Sequence, residues 1–305
     1  MTVVAGPHVQ RPVLRGLPTS LTDLDRCLVM GVLNVTPDSF SDGGAFLDAD
    51  AAIAHGLAMV ADGADLVDVG GESTRPGAQR VNAQQEQGRV LPVVQALAAE
   101  GVPVSIDTMR ASTAAAAVEA GACLVNDVSG GLADETMAIR VAALDVPFVA
   151  MHWRGHSVDM ESRAVYADVV ADVVAELESR LADLTGHGLD IDHIVVDPGL
   201  GFAKQAGHNW SLLARLDALL ALRRPVLLGA SRKGFLGTLL ADDNGAPRPA
   251  DRRADATTAL TALVAARGVW AVRVHDVAGS ADAVRVVAAL NAADDAGLRA
   301  SEEEV

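Results

Sequence analysis

The sequence predicts an α/β fold, a single (β/α)8 TIM barrel with long lid loops after strands 1 and 2, and two observations carry that expectation. Short apolar runs alternate eight times with Ala-, Leu- and Val-rich stretches of helical period. Polar side chains collect where the runs end, at Asn34, Asp107, Asn126, Asp197, Ser231, Arg273 and His275. Parallel strands need helical crossovers, and eight strand-helix units in about 260 residues fit a closed barrel better than an open doubly wound sheet. In such a barrel the reactive groups come from the carboxyl ends of the strands and the loops after them. A G-x-G-x-x-G dinucleotide fingerprint starting at Gly199 fails, because its third glycine falls at Lys204.

In chain order the strands are predicted at Leu28 to Asn34, Leu66 to Gly70, Val102 to Asp107, Leu124 to Asp127, Phe148 to Met151, Ile194 to Asp197, Val226 to Ala230 and Trp270 to His275. Each run breaks into a loop bearing Gly or Asp before the next apolar periodicity begins. The helices are predicted over about 48–62, 83–100, 110–121, 133–145, 162–186, 209–222, 254–267 and 280–292. Residues 1–25 fall outside the pattern and read as a flexible N-terminal extension, 26–295 as the barrel, and 296–305 as an acidic C-terminal tail.

Composition sets limits on partners. The 305 residues are half apolar, with 24 basic against 40 acidic side chains and a formal charge of −16. Such a chain repels phosphate backbones and anionic lipid, so neither nucleic acid nor a membrane is an expected partner. No apolar run approaches the roughly 20 residues of a membrane span, and no secretory leader is visible, which predicts a cytoplasmic protein. Cys27 and Cys123 start apolar runs and read as small buried hydrophobes rather than a disulfide framework. Of the 24 basic residues only Lys204 and Lys233 are Lys. A lysine that survives where arginine otherwise serves points to a need for a compact ammonium or a tunable pKa.

On the last strand Arg273 and His275 point to one side while Val272 and Val274 point to the other, which makes the first pair a candidate anion clamp. The loop from Gly229 to Gly237 carries Lys233 but lacks Walker spacing, so Lys233 is either a point-charge donor or a Schiff-base nucleophile. The loops from Asn34 to Gly44 and from Gly70 to Gly77 mix glycine, hydroxyls, charge and proline, as mobile lids over an anionic substrate do. Asn34 and Asp42 offer hard oxygens that suit Mg2+ carried with a diphosphate. No His/Cys cluster has zinc spacing, and His152, His156 and His208 read as surface or packing residues. Asp107, Asn126 and Asp197 come from three strands and suit a flat heterocycle with paired N–H donors and a ring carbonyl. Buried acids need a partner, which a bound ring or Lys233 supplies.

Taken together, the segments Asn34 to Gly44, Asp68 to Gly77, Ser105 to Thr108, Asn126 to Gly130, Asp197 to Lys204, Ser231 to Lys233 and Arg273 to His275 resemble the dihydropteroate synthase family, over about residues 28–292. The resemblance implies condensation of 7,8-dihydropterin-6-ylmethyl diphosphate with p-aminobenzoate, with Mg2+, through an SN1-like pterin methyl cation. It implies that Asp107, Asn126, Met151, Asp197 and Lys233 hold the pterin. Asn34, Thr74, Arg273 and His275 grip the diphosphate, with Asn34 on the metal. Phe40, Thr74, Arg75, Pro76, Phe202, Lys233 and Gly234 shape the p-aminobenzoate pocket. Asp107, Lys233, Asp42 and Arg75 carry the catalytic work, in a homodimer packed through helices on the far side of the barrel. The sequence departs from many relatives at Gly234, which follows the motif lysine where they carry Ser or a basic residue. A hydroxyl for the p-aminobenzoate carboxylate is therefore missing, which bears on the response expected of a sulfonamide target. Three rival readings are a methyltetrahydrofolate corrinoid methyltransferase, a Schiff-base aldolase using Lys233, and a non-catalytic pterin-binding paralogue.

Overall fold

A computed structural model of the chain describes residues 12, 14–36, 45–72, 81–155 and 162–303. The strands are β1 (Leu28–Asn34), β2 (Leu66–Gly70), β3 (Val104–Asp107), β4 (Leu124–Asp127), β5 (Phe148–Met151), β6 (Ile194–Asp197), β7 (Leu227–Leu228) and β8 (Ala271–Val274). All pairings are parallel, in the order β6-β5-β4-β3-β2-β1-β8-β7. A parallel bridge between Val196 and Val226 joins the two ends, so the eight strands close on themselves. The strands are apolar almost throughout because a parallel sheet wrapped by helices is buried on both faces. Leu28, Met30, Leu66, Leu124, Val149, Val195, Leu227 and Ala271 fill the inside of the barrel. The opposite parity, including Val29, Val67, Ile106, Val125, Phe148 and Val272, packs against the helices.

The helices are α1 (Thr19–Thr22), α2 (Ala45–Ala61), α3 (Ala83–Ala99), α4 (Ala111–Glu119), α5 (Met137–Ala142), α6 (Val169–Gly186), α7 (Ala206–Ala214), α8 (Leu216–Leu220), α9 (Gly234–Leu239), α10 (Ala254–Ala265) and α11 (Val277–Glu303). Several differ from expectation for local reasons. The helix expected from 162 starts at Val169, because the Asp168 carboxylate accepts the amides of Val170 and Ala171 and caps it there. The helix expected over 133–145 is only α5, since Asp134 turns the chain by accepting from Thr136 and reaches across to the Ala111 amide. The single helix expected over 209–222 breaks at Arg215 into α7 and α8, and Arg215 pairs with Asp168.

The ends of the chain also differ. Within the expected flexible extension, Leu14, Leu17, Leu21 and Leu24 pack on the inside cluster at the amino ends of the strands, where they plug the barrel floor. Burying a leucine such as Leu21 contributes roughly 2 kcal/mol toward ordering the segment. The tail expected from residue 296 continues helix α11 as far as Glu303.

One ionic knot ties the outer layer to the carboxyl end of β3. Glu86 of α3 is 1% exposed and accepts from Thr108 Oγ1 at 2.7 Å, Arg110 Nη1 at 2.7 Å and Thr113 Oγ1 at 3.0 Å. Arg110 spans to Glu72 at 2.7 Å and also donates to the Val81 carbonyl. A buried carboxylate stripped of its cation is costly, so Arg110→Ala is expected to destabilise the fold by about 3 kcal/mol. Equilibrium urea unfolding checks this, and a midpoint equal to that of the parent chain contradicts it.

Candidate active site

Alternation along the strands builds the site. Two residues beyond the apolar filling, toward the carboxyl ends, the same inward parity carries Asp68 on β2, Asn126 on β4, Met151 on β5, Asp197 on β6 and Arg273 on β8. Asp107 follows Ser105 on β3 in the same way. A polar layer therefore rests directly on a dry floor. His275 lies beyond the end of β8, and Asn34 ends β1 in register with Gly70.

Arg273 organises this layer. Its Nε donates to Asp68 Oδ2 at 2.6 Å and its Nη2 to Asp107 Oδ2 at 2.7 Å. Asp68 is fully buried, and the same Oδ2 accepts from Asn126 Nδ2 at 2.9 Å. Because an ionised carboxylate only accepts, the Asn126 amide nitrogen must face Asp68, which leaves the Asn126 carbonyl oxygen to face elsewhere. Asp68 Oδ1 is buried with no hydrogen-bond partner among the described residues. Asp68 was absent from the expected site residues, although it opens the Asp68-to-Gly77 motif and its parity matches that of Asn126 and Asp197. The anion clamp expected of Arg273 is thus turned inward onto two carboxylates, with two of its five N–H groups committed. His275 is held by Ser231, whose Oγ lies 3.1 Å from both its backbone nitrogen and Nδ1.

Lys233 reaches the loop after β6 and lies close enough to Asp197 for the two charges to support each other. Its Nζ donates to the Leu200 carbonyl and lies 4.7 Å from the centre of the Phe202 ring. The turn that aims it is strained: Arg232 has φ +60, and Arg253 Nη1 holds the Arg232 carbonyl at 2.6 Å. Asp197 Oδ1 accepts the Gly199 amide at 2.7 Å. Gly199 has φ +67, and a Cβ there would lie 2.4 Å from the His152 carbonyl oxygen, so only glycine lets the β6 loop lie against β5. Of the histidines expected at the surface or in packing, His152 is a packed one, 3% exposed and bonded to Glu176 and Lys204, while His156 lies outside the described residues.

Burial sets the protonation equilibria. It pushes the Asp107 carboxyl up to about 7, against the pull of Arg273 and with Asp68 adding to the rise. Burial also raises Asp197, with Lys233 opposing. Lys233 is lowered to about 8 by burial, with Asp197 opposing and Arg273 reinforcing. The native state thus keeps a proton on Asp107 that the unfolded chain releases near 3.9, and this group's contribution to stability falls as pH rises from there toward about 7.

Met151 is buried at the end of β5, and Gly234 opens α9, where an added Cβ would meet nothing within 4 Å. Phe40, Asp42, Thr74, Arg75 and Pro76, and the two lids that carry them, lie outside the described residues.

A family model described as pterin binding enzyme matches residues 30–275. Dihydropteroate synthase of Mycobacterium leprae (strain TN) is 56% identical over 262 residues, covering 86% of this chain and 92% of the relative. The solved structure of Xanthomonas albilineans dihydropteroate synthase with 4-aminobenzoic acid superposes with a TM-score of 0.81 at 43% identity, over 88% of this chain and 94% of that one. The same enzyme in complex with 7,8-dihydropteroate gives 0.78 at 40% identity, over 88% and 95%.

Removing the cation that opposes burial is expected to raise the Asp107 titration midpoint above about 7 in Arg273→Gln. Carboxyl NMR of aspartate-labelled protein reads it, and a midpoint that stays put or falls contradicts the pairing.

Proposed function

The chain belongs to the pterin-binding enzyme family as a dihydropteroate synthase, and we propose that the inward polar layer at the barrel mouth is its pterin site. The enzyme is a transferase: the p-aminobenzoate amine forms a C–N bond to the pterin methylene, the C–O bond to diphosphate breaks, and the amine loses a proton. The products are 7,8-dihydropteroate and diphosphate.

The observation that carries the site assignment is the set of acceptors above the apolar floor, pre-oriented by Asp68 and Arg273. Asp107 and Asp197 accept ring N–H groups, the Asn126 carbonyl oxygen faces the ring edge, and Met151 packs on its face. Lys233 donates to a ring heteroatom. If the C–O bond breaks early, positive charge develops on the pterin methyl, and fixed carboxylates stabilise it without reorganising. Arg273 keeps three N–H groups with which to reach from the acids toward the diphosphate, together with His275 and Asn34; Thr74, the fourth residue expected there, lies outside the described residues. Phe202, Lys233 and Gly234 line the p-aminobenzoate side. Phe40, Thr74, Arg75 and Pro76 are assigned to the same pocket, and Asp42 and Arg75 to the catalytic set, by the family resemblance alone, since all lie outside the described residues.

Mg2+ fits the donor chemistry. Asn34 supplies one neutral hard oxygen, and among the described residues no three His, Cys, Asp or Glu side chains come together as an ion cage. Such a set suits an ion that keeps waters and arrives with the diphosphate. When bound, Mg2+ neutralises charge on the leaving diphosphate.

The exposed Leu263 of α10 and Val286 and Leu290 of α11 lie on helices that pack together, and they support a homodimer formed through this outer face. A cytoplasmic location belongs to the same reading; among the described residues no helix is long and apolar enough to cross a membrane. A methyl carrier to a corrinoid has no diphosphate to hold, and the family assignment sets that reading aside.

A diphosphate-release assay with the pterin diphosphate and Mg2+ is expected to show release that depends on p-aminobenzoate and yields dihydropteroate. Binding without release would make the chain a non-catalytic paralogue. Asp107→Asn and Lys233→Ala are each expected to lower kcat/KM by at least about 100-fold, and near-normal turnover in either would overturn its assignment.

A further inference from the structure

Lys204 is left unused by that reading, yet it is one of only two lysines among 24 basic residues. Its ammonium lies 2.9 Å from His152 Nδ1 and 3.1 Å from the Phe202 carbonyl oxygen. On the far side, His152 Nε2 lies 2.9 Å from Glu176 Oε2, and Arg154 holds the same carboxylate through Nε at 3.1 Å and through Nη2. An ammonium only donates and a carboxylate only accepts. His152 must therefore accept at Nδ1 and donate from Nε2, so its two neighbours dictate the tautomer. Burial, with the Lys204 charge adding to it, lowers the ring's pKa to about 3 and keeps it neutral in this role.

The relay ends on a loop whose consecutive residues are each tied by a side chain. The Leu200 carbonyl accepts from Lys233, the Gly201 amide donates to Asn209 Oδ1 at 2.7 Å, the Phe202 carbonyl accepts from Lys204, and the Ala203 carbonyl accepts from Tyr166 Oη at 3.0 Å. Ala203 has φ +47, a left-handed conformation that costs a Cβ-bearing residue about 1 kcal/mol and persists only when its surroundings hold it. Arg154 also stacks over the Tyr166 ring at 3.9 Å, so one arginine steadies both the Glu176 and the Tyr166 anchors. Between those anchors Phe202 is presented beneath Lys233.

We propose that Glu176, His152 and Lys204 form a positioning relay that fixes the Phe202 backbone, and through it the wall of the p-aminobenzoate pocket. This rests on the reading above that Phe202 lines that pocket. The relay also accounts for a lysine in an arginine-rich chain. A compact ammonium can divide its donors between an imidazole nitrogen and a carbonyl close to its own backbone, whereas a guanidinium's planar fork is too large and too rigid for that space.

Steady-state kinetics on Lys204→Met, Lys204→Arg and Glu176→Gln, with melting temperatures alongside, test it. Lys204→Met is expected to raise KM for p-aminobenzoate about 10-fold while KM for the pterin diphosphate stays within about two-fold, since a displaced wall affects one substrate only. Lys204→Arg is expected not to restore it, and Glu176→Gln to shift the same constant in the same direction. Glu176 has a side chain 42% exposed, so its variant remains informative where Lys204→Met does not fold. An unchanged KM for p-aminobenzoate, or an equal rise for both substrates, overturns the relay. Phe202→Ala separates the two levels. If it leaves KM for p-aminobenzoate unaltered, the pocket assignment falls; if it raises that constant while Lys204→Met does not, the relay alone falls.

Discussion

The barrel mouth is governed by one electrostatic constraint: its carboxylates are buried, and each needs a cation or donor to face it. Asp68, Asp107 and Asp197 all point inward above an apolar floor, and among the described residues Arg273, Lys233 and Lys204 answer them. A buried charge without a partner costs several kcal/mol, so the geometry of the layer is dictated by how the cations are placed against the acids. Arg273 solves most of this by bridging Asp68 and Asp107 with a planar fork that a lysine could not reproduce. Burial, with Asp68 adding to it, raises the Asp107 pKa against the pull of Arg273, and the acids keep acceptor capacity facing the mouth. On the proposed reading that capacity is taken up by ring N–H groups, and the carboxylates stabilise a developing cation.

Rigidity follows from the same arrangement. Asp68 fixes which atom of Asn126 faces the mouth, Ser231 fixes His275, and Asp197 fixes the start of its own loop through Gly199. The floor below is closed at the amino end by leucines of the leading segment, and the outer layer is stitched to β3 through Glu86 and Arg110. Groups held on strands over a packed core keep their positions when a substrate arrives, which is what electrostatic stabilisation requires.

The fold was legible because eight apolar runs of strand length carry their polar residues at one end, and period-two alternation alone places Arg273 and His275 on one face. Element ends were legible where a strand stops at Asn or Asp, as at Asn34, Asp127 and Asp197, and less so where a cap decides, as at Asp168. The inward acids Asp107 and Asp197 could be picked out as candidates because they end their strands. Asp68 was harder, because it stands mid-strand among valines, where alternation must be carried past an apolar neighbour to see that it faces inward. The partnership of Arg273 with two acids was hidden for a different reason: it joins residues up to 205 positions apart, a closure that only the barrel brings about. Lys204 was conspicuous by composition, yet its partners His152 and Glu176 come from other strands and helices and have no local signature.

Asp68 and Arg273 act as one unit in shaping the mouth. A double-mutant cycle on pterin diphosphate binding, with Asp68→Asn, Arg273→Gln and the pair measured by calorimetry, tests it directly. A coupling energy above about 1 kcal/mol is expected for residues in one buried ion network, whereas effects that add to within about 0.5 kcal/mol would show that the two groups act independently.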